Sequence, residues 1–312
     1  MACKGFICPV TGQPVTFEEC LACAEYGGLA GCNLSYPLLQ GIARAQQPRN
    51  LGAEVETTAG WQMPTLSVTE LLGCPWQWQL QRDVDYYVKP EQAWWAFRGT
   101  LAHEIVARHA PPGALVEQRF FYARGGLQLT GQPDLVHHAV VYDYKSCQHL
   151  PQPVKTWACP QCGQVLHQTR PGVPSLRKGS KVECPSCQRT YKVGTDLQAL
   201  ESPPVARDVH VQQVNLYAWL LAQHNLPVTA GELVYLDMQA TVRIPLTLWP
   251  LEETEAFLDA RIAAFQTGAP SCADADAAWR CDYCAVREHC TAWAECQATL
   301  AALADAPVAE AA

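Results

Sequence analysis

Gly131-Gln132-Pro133-Asp134, followed closely by Ala139-Val140-Val141-Tyr142-Asp143-Tyr144-Lys145, is the stretch from which the rest of the chain is read. The second part is rich in β-branched and aromatic residues and reads as a strand. Side chains alternate along a strand, so Asp143 and Lys145 point to the same side. Asp134 would face them from a neighbouring strand. Two carboxylates suit a hard divalent cation, magnesium or manganese, and Lys145 could orient the water beside it or steady developing charge. The plainer alternative is a turn aspartate next to an exposed strand pair. For Asp143-Tyr144-Lys145 alone that alternative wins, because such triplets are common.

The flanking pattern supplies more. Gly99 to His109 reads as a helix, with Leu101 and Ile105 one turn apart, stopped by Pro111-Pro112-Gly113. Leu115–Tyr122 and Leu127–Thr130 read as strands joined by a hairpin at Arg124-Gly125-Gly126. Asp208 to His224 has helical spacing, with Val214, Ala218 and Leu221 on one face. Glu232–Gln239 and Thr241–Leu246 read as strands, and Pro250 to Gln266 as a helix with acids in its first turn. The expected class is therefore α/β, interrupted by an insertion.

The chain has 312 residues, enough for one sizeable core with small satellites. Its start shows no signal-peptide run and no stretch approaches a membrane span, so a cytoplasmic protein without a membrane partner is expected. In a reducing compartment, sixteen cysteines point to metal binding rather than to a disulfide framework. Net charge is −8, which alone argues against a nucleic-acid partner. The charge is uneven, however. Lys155, Arg170, Arg177, Lys178, Lys181, Arg189 and Lys192 stand against the single acid Glu183 in their stretch. Local basic surface is what phosphate contact needs, although charge runs are more often solvated faces.

Four motifs occur in order: Gly99-Thr100-Leu101-Ala102-His103-Glu104, Gly131-Gln132-Pro133-Asp134, Asp143-Tyr144-Lys145 and Gln213-Val214-Asn215-Leu216-Tyr217. In the last, Gln213 and Tyr217 share one helical face. Each motif is common singly. In this order they resemble the RecB-like branch of the PD-(D/E)XK nucleases, whose pattern runs GxxxHE, GxxD, (D/E)xK, QxxxY. The resemblance implies a PD-(D/E)XK core, a central mixed sheet flanked by helices, with Asp134 and Asp143 as carboxylate ligands and His103 as a further ligand to Mg2+ or Mn2+. It implies Lys145 as the catalytic lysine, with Gln213 and Tyr217 positioning it or the DNA. Taken alone, His103 reads as a packed or solvent-facing histidine, Glu104 as a supporting acid or an exposed partner of Arg108, and Gln212 as the fallback for Gln213.

The cysteines sort into three groups. Cys159-x-x-Cys162 and Cys184-x-x-Cys187 form a zinc-ribbon pattern inside the basic insertion, so the ribbon reads as a DNA or partner contact or as purely structural. Cys281-Asp282-Tyr283-Cys284 and Cys290 offer three thiolates and need a fourth. Cys74, far upstream, completes a split set that resembles the iron–sulfur subset of RecB-like nucleases, among them CRISPR-associated exonucleases and AddB-type subunits. That resemblance implies a 4Fe–4S cluster stapling both ends of the core. Cys296 is a rival ligand and zinc a rival metal. The third group is Cys3, Cys8, Cys20, Cys23 and Cys32, of which the first four are the favoured zinc set. Cys147 and Cys272 read as free thiols.

The expected organisation is a cysteine-rich module over 1–60, a nuclease core over 61–150 and 200–296, a zinc-ribbon insertion over 151–199 and a loose tail over 297–312. The resemblance implies metal-dependent hydrolysis of DNA phosphodiesters, exonucleolytic or end-processing. CRISPR adaptation, recombination and repair, or phage DNA processing would be the setting, with DNA and a partner in a CRISPR adaptation or recombination complex. The competing reading is a catalytically silent DNA-end-binding or partner-binding protein on the same scaffold. It stands second because both acids and the lysine are present.

Overall fold

The computed structural model describes residues 3–46, 65–169, 174–267, 281 and 283–293. Cys272, Cys296 and the 297–312 tail lie outside the described residues.

The N-terminal hairpin pairs β1 (Cys3–Ile7) with β2 (Pro14–Thr16) and leads into α1 (Phe17–Glu25) and α2 (Tyr36–Gln46). A capping box starts α1: the Thr16 hydroxyl accepts from Glu19 N at 3.2 Å, while Thr16 N donates to the Glu19 carboxylate at 2.8 Å. Ser67 and Glu70 repeat the device between β3 (Thr65–Ser67) and α3 (Val68–Leu71). Then come α4 (Pro75–Asp83), β4 (Tyr86–Val88) and α5 (Pro90–Arg108). The expected helix at Gly99 starts earlier, at Pro90, whose missing N–H and fixed φ suit a first helical turn. Leu101 and Ile105 lie on its exposed side.

The cysteine-rich segment is joined to the rest of the chain by both a strand and a helix. β1 pairs in parallel with β4, and α2 packs on α5 around Phe6, Leu39, Ile42 and Ala93. The N-terminal lobe therefore leads directly into the helix that carries His103.

Next come β5 (Leu115–Val116), β6 (Phe120–Arg124), β7 (Leu127–Gly131), β8 (Leu135–His137) and β9 (Val140–Ser146). The single strand expected over Leu115–Tyr122 is broken. Glu117 takes a φ of +47°, and β5 and β6 belong to different sheets. The hairpin at Gly125-Gly126 forms as expected, both glycines having positive φ. A second two-residue connection, His138-Ala139, joins β8 to β9 with φ of +49° and +59°.

The insertion holds β10 (Val154–Ala158), β11 (Val165–Gln168), β12 (Lys181–Glu183), β13 (Thr190–Lys192) and β14 (Leu200–Ser202) around Trp157, Val193 and Leu197. β14 pairs with β10, which carries the insertion to Ser202. The chain returns through α6 (Asp208–Gln223), β15 (Ala230–Leu236), β16 (Thr241–Leu246) and α7 (Leu251–Thr267). α6 buries Gln213–Tyr217 and Trp219–Leu221, so it is enclosed on most sides rather than along one stripe.

The chain is thus mixed α/β. Its five-stranded sheet runs β16-β15-β9-β8-β5, with β9 and β15 parallel and the other pairs antiparallel. A three-stranded sheet, β3-β7-β6, is also mixed. One apolar core joins both sheets to α6 and α7. Arg261 of α7 donates to the carbonyls of Leu71 and Gly73 at 2.9 and 2.6 Å, tying the C-terminal helix to the turn before Cys74.

Candidate active site

The β8–β9 ladder pairs Leu135 with Tyr142, so Asp134 comes opposite Asp143 where the ladder ends. Asp134 Oδ2 accepts from Tyr144 N at 2.6 Å, which fixes its carboxylate against β9. Its Oδ1 faces His103 Nδ1 at 3.0 Å, and His103 Nε2 lies 3.1 Å from the Tyr144 carbonyl. α5 therefore delivers His103 onto the strand that bears Asp143 and Lys145.

Asp143 is buried. Its Oδ2 lies 2.7 Å from Lys145 Nζ, while Oδ1 has no hydrogen-bond partner among the described residues. Burial pushes its pKa up to about 6 against the pull of Lys145, with Asp134 adding to the rise. Lys145 Nζ also donates to Gln213 Oε1 at 2.9 Å, and Gln213 Nε2 donates to the Tyr217 hydroxyl at 2.8 Å. Burial keeps Tyr217 far above the ordinary tyrosine range, so it stays neutral. An ammonium has three donors; Asp143 and Gln213 take two, which leaves one for substrate or water.

Gly131 matters here because α6 crosses directly over it. A Cβ at that position would lie 2.7 Å from Leu220 Cδ2 and 3.1 Å from Tyr217 Cδ1. The small residue lets the helix bearing Gln213 and Tyr217 come down onto the sheet.

Sequence reasoning missed Glu117. Its Oε1 stands 3.4 Å from His103 Nδ1, and its other carboxylate oxygen accepts a very short hydrogen bond from Gln132 Nε2. Gln132 in turn accepts from Arg119. A glutamate at positive φ is uncommon, and such conformations concentrate at functional sites. Asp134 and then Glu117, both hydrogen-bonded to it, raise the His103 pKa to about 10. Glu104 is exposed on α5, so the acid beside His103 is not its sequence neighbour. His210, also unforeseen, lies one turn before Gln213. Its Nδ1 is 2.9 Å from the Tyr235 hydroxyl, and burial pulls its pKa down to about 3, helped by Lys145 and Arg207.

His103, Glu117 and Asp134 bring three ligand atoms within 4.8 Å of one another. Together with the unpartnered Asp143 Oδ1, this oxygen-rich donor set fits a hard divalent cation. A bound cation would have to displace the His103 proton.

The ribbon cysteines Cys159, Cys162, Cys184 and Cys187 come together and can hold a metal ion. All four thiols lie within 4.8 Å, with Cys159–Cys187 and Cys162–Cys184 each 3.6 Å apart. Cys74 stands at the N-cap of α4, and Cys284 feels the charge of both Cys290 and Cys74, so these three of the split group lie within electrostatic reach of one another. Of the N-terminal group, Cys8, Cys20, Cys23 and Cys32 line one pocket. Cys3 is not with them; it lies in β1, where its thiol donates to Gly5 O. Cys32, not Cys3, lines that pocket.

Among the described residues, no helix is long and apolar enough to cross a membrane. No protein-family model matches the chain, and no curated protein matches it. A solved chain titled "Crystal structure of SSO0001" aligns with 81% of this chain and 95% of its own length, at 15% identity and a TM-score of 0.46.

Proposed function

We propose that this chain is a divalent-metal-dependent deoxyribonuclease with a RecB-like PD-(D/E)XK core. One observation carries the reading. His103, Asp134, Asp143, Lys145, Gln213 and Tyr217, drawn from four separate motifs, form one connected array built on β9 and its flanking helices. In this reading the five-stranded sheet, with α5 and α6 both packed on β9, is the nuclease core.

Asp134, Asp143 and His103 would hold magnesium or manganese. Such a cation polarises the phosphate and lowers the pKa of the attacking water. The chain's own residues do the rest. Lys145 is pinned by Asp143 and Gln213 and presents its remaining N–H to the phosphate oxygen that gains charge as the bond to water forms. Tyr217 holds Gln213 in place and thereby fixes the lysine. Asp134 is locked by Tyr144 N, and the Tyr144 carbonyl accepts from His103 Nε2, which would aim Nδ1 at the cation once its proton is gone.

The ribbon would hold zinc: tetrahedral thiolates at about 2.3 Å from a zinc ion stand about 3.8 Å apart, close to the observed separations. Cys74, Cys281, Cys284 and Cys290 would hold a 4Fe–4S cluster that clamps α4 to the C-terminal segment. The exposed basic residues of the insertion would meet DNA phosphates, and end-processing is the activity the motif resemblance favours.

The test uses end-labelled DNA with manganese or magnesium. Wild type should degrade it, and Lys145→Ala should lose about 100- to 1,000-fold in rate or more while still binding DNA. Equal inertness of the two proteins, with DNA binding retained by both, defeats the catalytic reading.

A further inference from the structure

The N-terminal lobe holds a cavity of about 110 Å³ between the β1–β2 hairpin, α1 and the loop leading to α2. Cys8, Cys20, Cys23 and Cys32 line it, with Val15, Leu34 and Leu39 among its other walls. The four thiols come from three separate pieces of chain: the hairpin loop, α1 and the loop after it. Cys20 lies within electrostatic reach of Cys32, Cys8 and Cys23.

The loop bearing Cys8 repeats a form seen twice in the ribbon. Cys8 N donates to Gln13 O and Gly12 N donates to Cys8 O, both at 2.8 Å. In the ribbon, Cys159 N donates to Gln164 O at 2.8 Å and Gly163 N to Cys159 O at 2.9 Å. The other knuckle pairs Cys184 N with Arg189 O at 2.9 Å and Gln188 N with Cys184 O at 2.8 Å. In all three loops proline follows the cysteine, and the residue that donates back to it has positive φ: Gly12 at +70°, Gly163 at +74° and Gln188 at +55°. This fold of the backbone turns amide N–H groups toward sulfur, and at Cys8 the Thr11 side chain and backbone both hydrogen-bond to it. The ribbon loops carry a second thiol at Cys162 and Cys187; here Thr11 occupies that position. The hairpin loop thus has the backbone form of a ribbon knuckle, carrying one sulfur where the ribbon loops carry two.

We propose that Cys8, Cys20, Cys23 and Cys32 form a second structural zinc site, separate from the ribbon. Soft thiolates in a largely apolar cavity suit zinc rather than a hard cation. These thiols stand wider than those of the ribbon, the one cysteine group among the described residues to close within 4.8 Å. A cysteine sulfur swings about 3 Å between staggered rotamers, enough to bring the four to tetrahedral distance. Zinc here would fasten the hairpin to α1. Because β1 pairs with β4 and β4 leads into α5, it would also steady the helix that carries His103. The site does not depend on the nuclease reading.

The test reads zinc content and thiol reactivity on the full chain, purified under reducing, metal-replete conditions. Cys20→Ser and Cys32→Ser should each lose one equivalent of zinc relative to wild type, whereas Cys3→Ser should lose none. A variant that fails to fold does not stop the test, because wild type gives a second readout. Alkylation mapped by mass spectrometry should find Cys8, Cys20, Cys23 and Cys32 protected together and released together as a chelator withdraws zinc. Zinc that survives Cys32→Ser, or Cys32 labelling while all zinc is retained, overturns the proposal. So does iron with sulfide, rather than zinc, disappearing with Cys32.

Discussion

Glu117 Oε1 lies 3.4 Å from His103 Nδ1, the same nitrogen that faces Asp134. The imidazolium is therefore held between two carboxylates, and the second reaches it from a backbone at φ +47°. A residue that departs from strand geometry where β5 and β6 part, and whose carboxylate ends in an acidic cluster, is placed there for its side chain. Glu117→Gln preserves shape and removes the charge. Under the nuclease reading it should weaken apparent manganese affinity or activity about 10- to 100-fold, the range for groups that support metal ligands. A manganese titration of the cleavage rate checks this; an unchanged titration would make Glu117 structural only.

The protonation of His103 has a thermodynamic signature. Its pKa rises from 6.5 to about 10 in the fold, so the native state keeps a proton that the unfolded chain has lost across that window. The stabilisation is fully present below pH 6.5 and disappears as pH rises toward 10. Protein dialysed free of magnesium and manganese should lose thermal stability over that range, and His103→Gln should flatten the slope. Equal slopes for both proteins would show that the histidine is not held charged. Because a divalent cation competes with that proton, apparent metal affinity should fall as pH drops.

Lys181 and Lys192 stand directly opposite each other on the β12–β13 hairpin, both exposed. Like charges in such a pair repel and slightly destabilise the hairpin. An anion between them would reverse the sign. Replacing both with alanine should leave thermal stability unchanged or slightly higher. Under the nuclease reading it should also weaken duplex DNA binding at all sequences and reduce the slope of log K against log salt by about 2. An unaltered slope would remove this lysine pair from any DNA contact.

Gly131→Ala forces a methyl group against Leu220 and Tyr217. The expected cost is about 1–3 kcal/mol in a urea titration, typical of overpacking a closed contact. If the chain is a nuclease, activity should fall further than stability, because Tyr217 holds Gln213 and Gln213 holds Lys145. A variant destabilised but fully active would separate the helix contact from the chemistry.

Much of the central architecture is legible in the sequence because its signals are local. Gly125-Gly126 announces its hairpin, Thr241–Leu246 alternates as an edge strand should, and Asp208–Gln223 has helical length and composition. The same locality explains the failures. Glu117 sits in a run that reads as one strand, and its turn is a tertiary effect that no neighbouring glycine marks. His138-Ala139 makes a two-residue turn without the Asn-Gly or Asp-Gly signature, so the sequence does not advertise its tight geometry. The union of β1 with β4 joins segments with a long stretch between them, and nothing in either short strand names its partner. Gln213 rather than Gln212 meets Lys145 and Tyr217, because the spacing to Tyr217 is a helical repeat. Spacing favours Cys3 over Cys32 because it orders cysteines along the chain, whereas in the fold Cys32 lines the pocket with Cys8, Cys20 and Cys23 while Cys3 sits in β1.

The His138-Ala139 turn limits what evolution can do with this chain. On the far side of β9 the molecule accommodates a whole five-stranded, cysteine-bearing insertion between Ser146 and Asp208. On the near side, adding or losing one residue would exchange the two faces of β9, turning Tyr142 and Tyr144 toward Asp134 and sending Asp143 and Lys145 away. Relatives of this protein should therefore vary freely in length after Ser146 and hardly at all between Asp134 and Lys145.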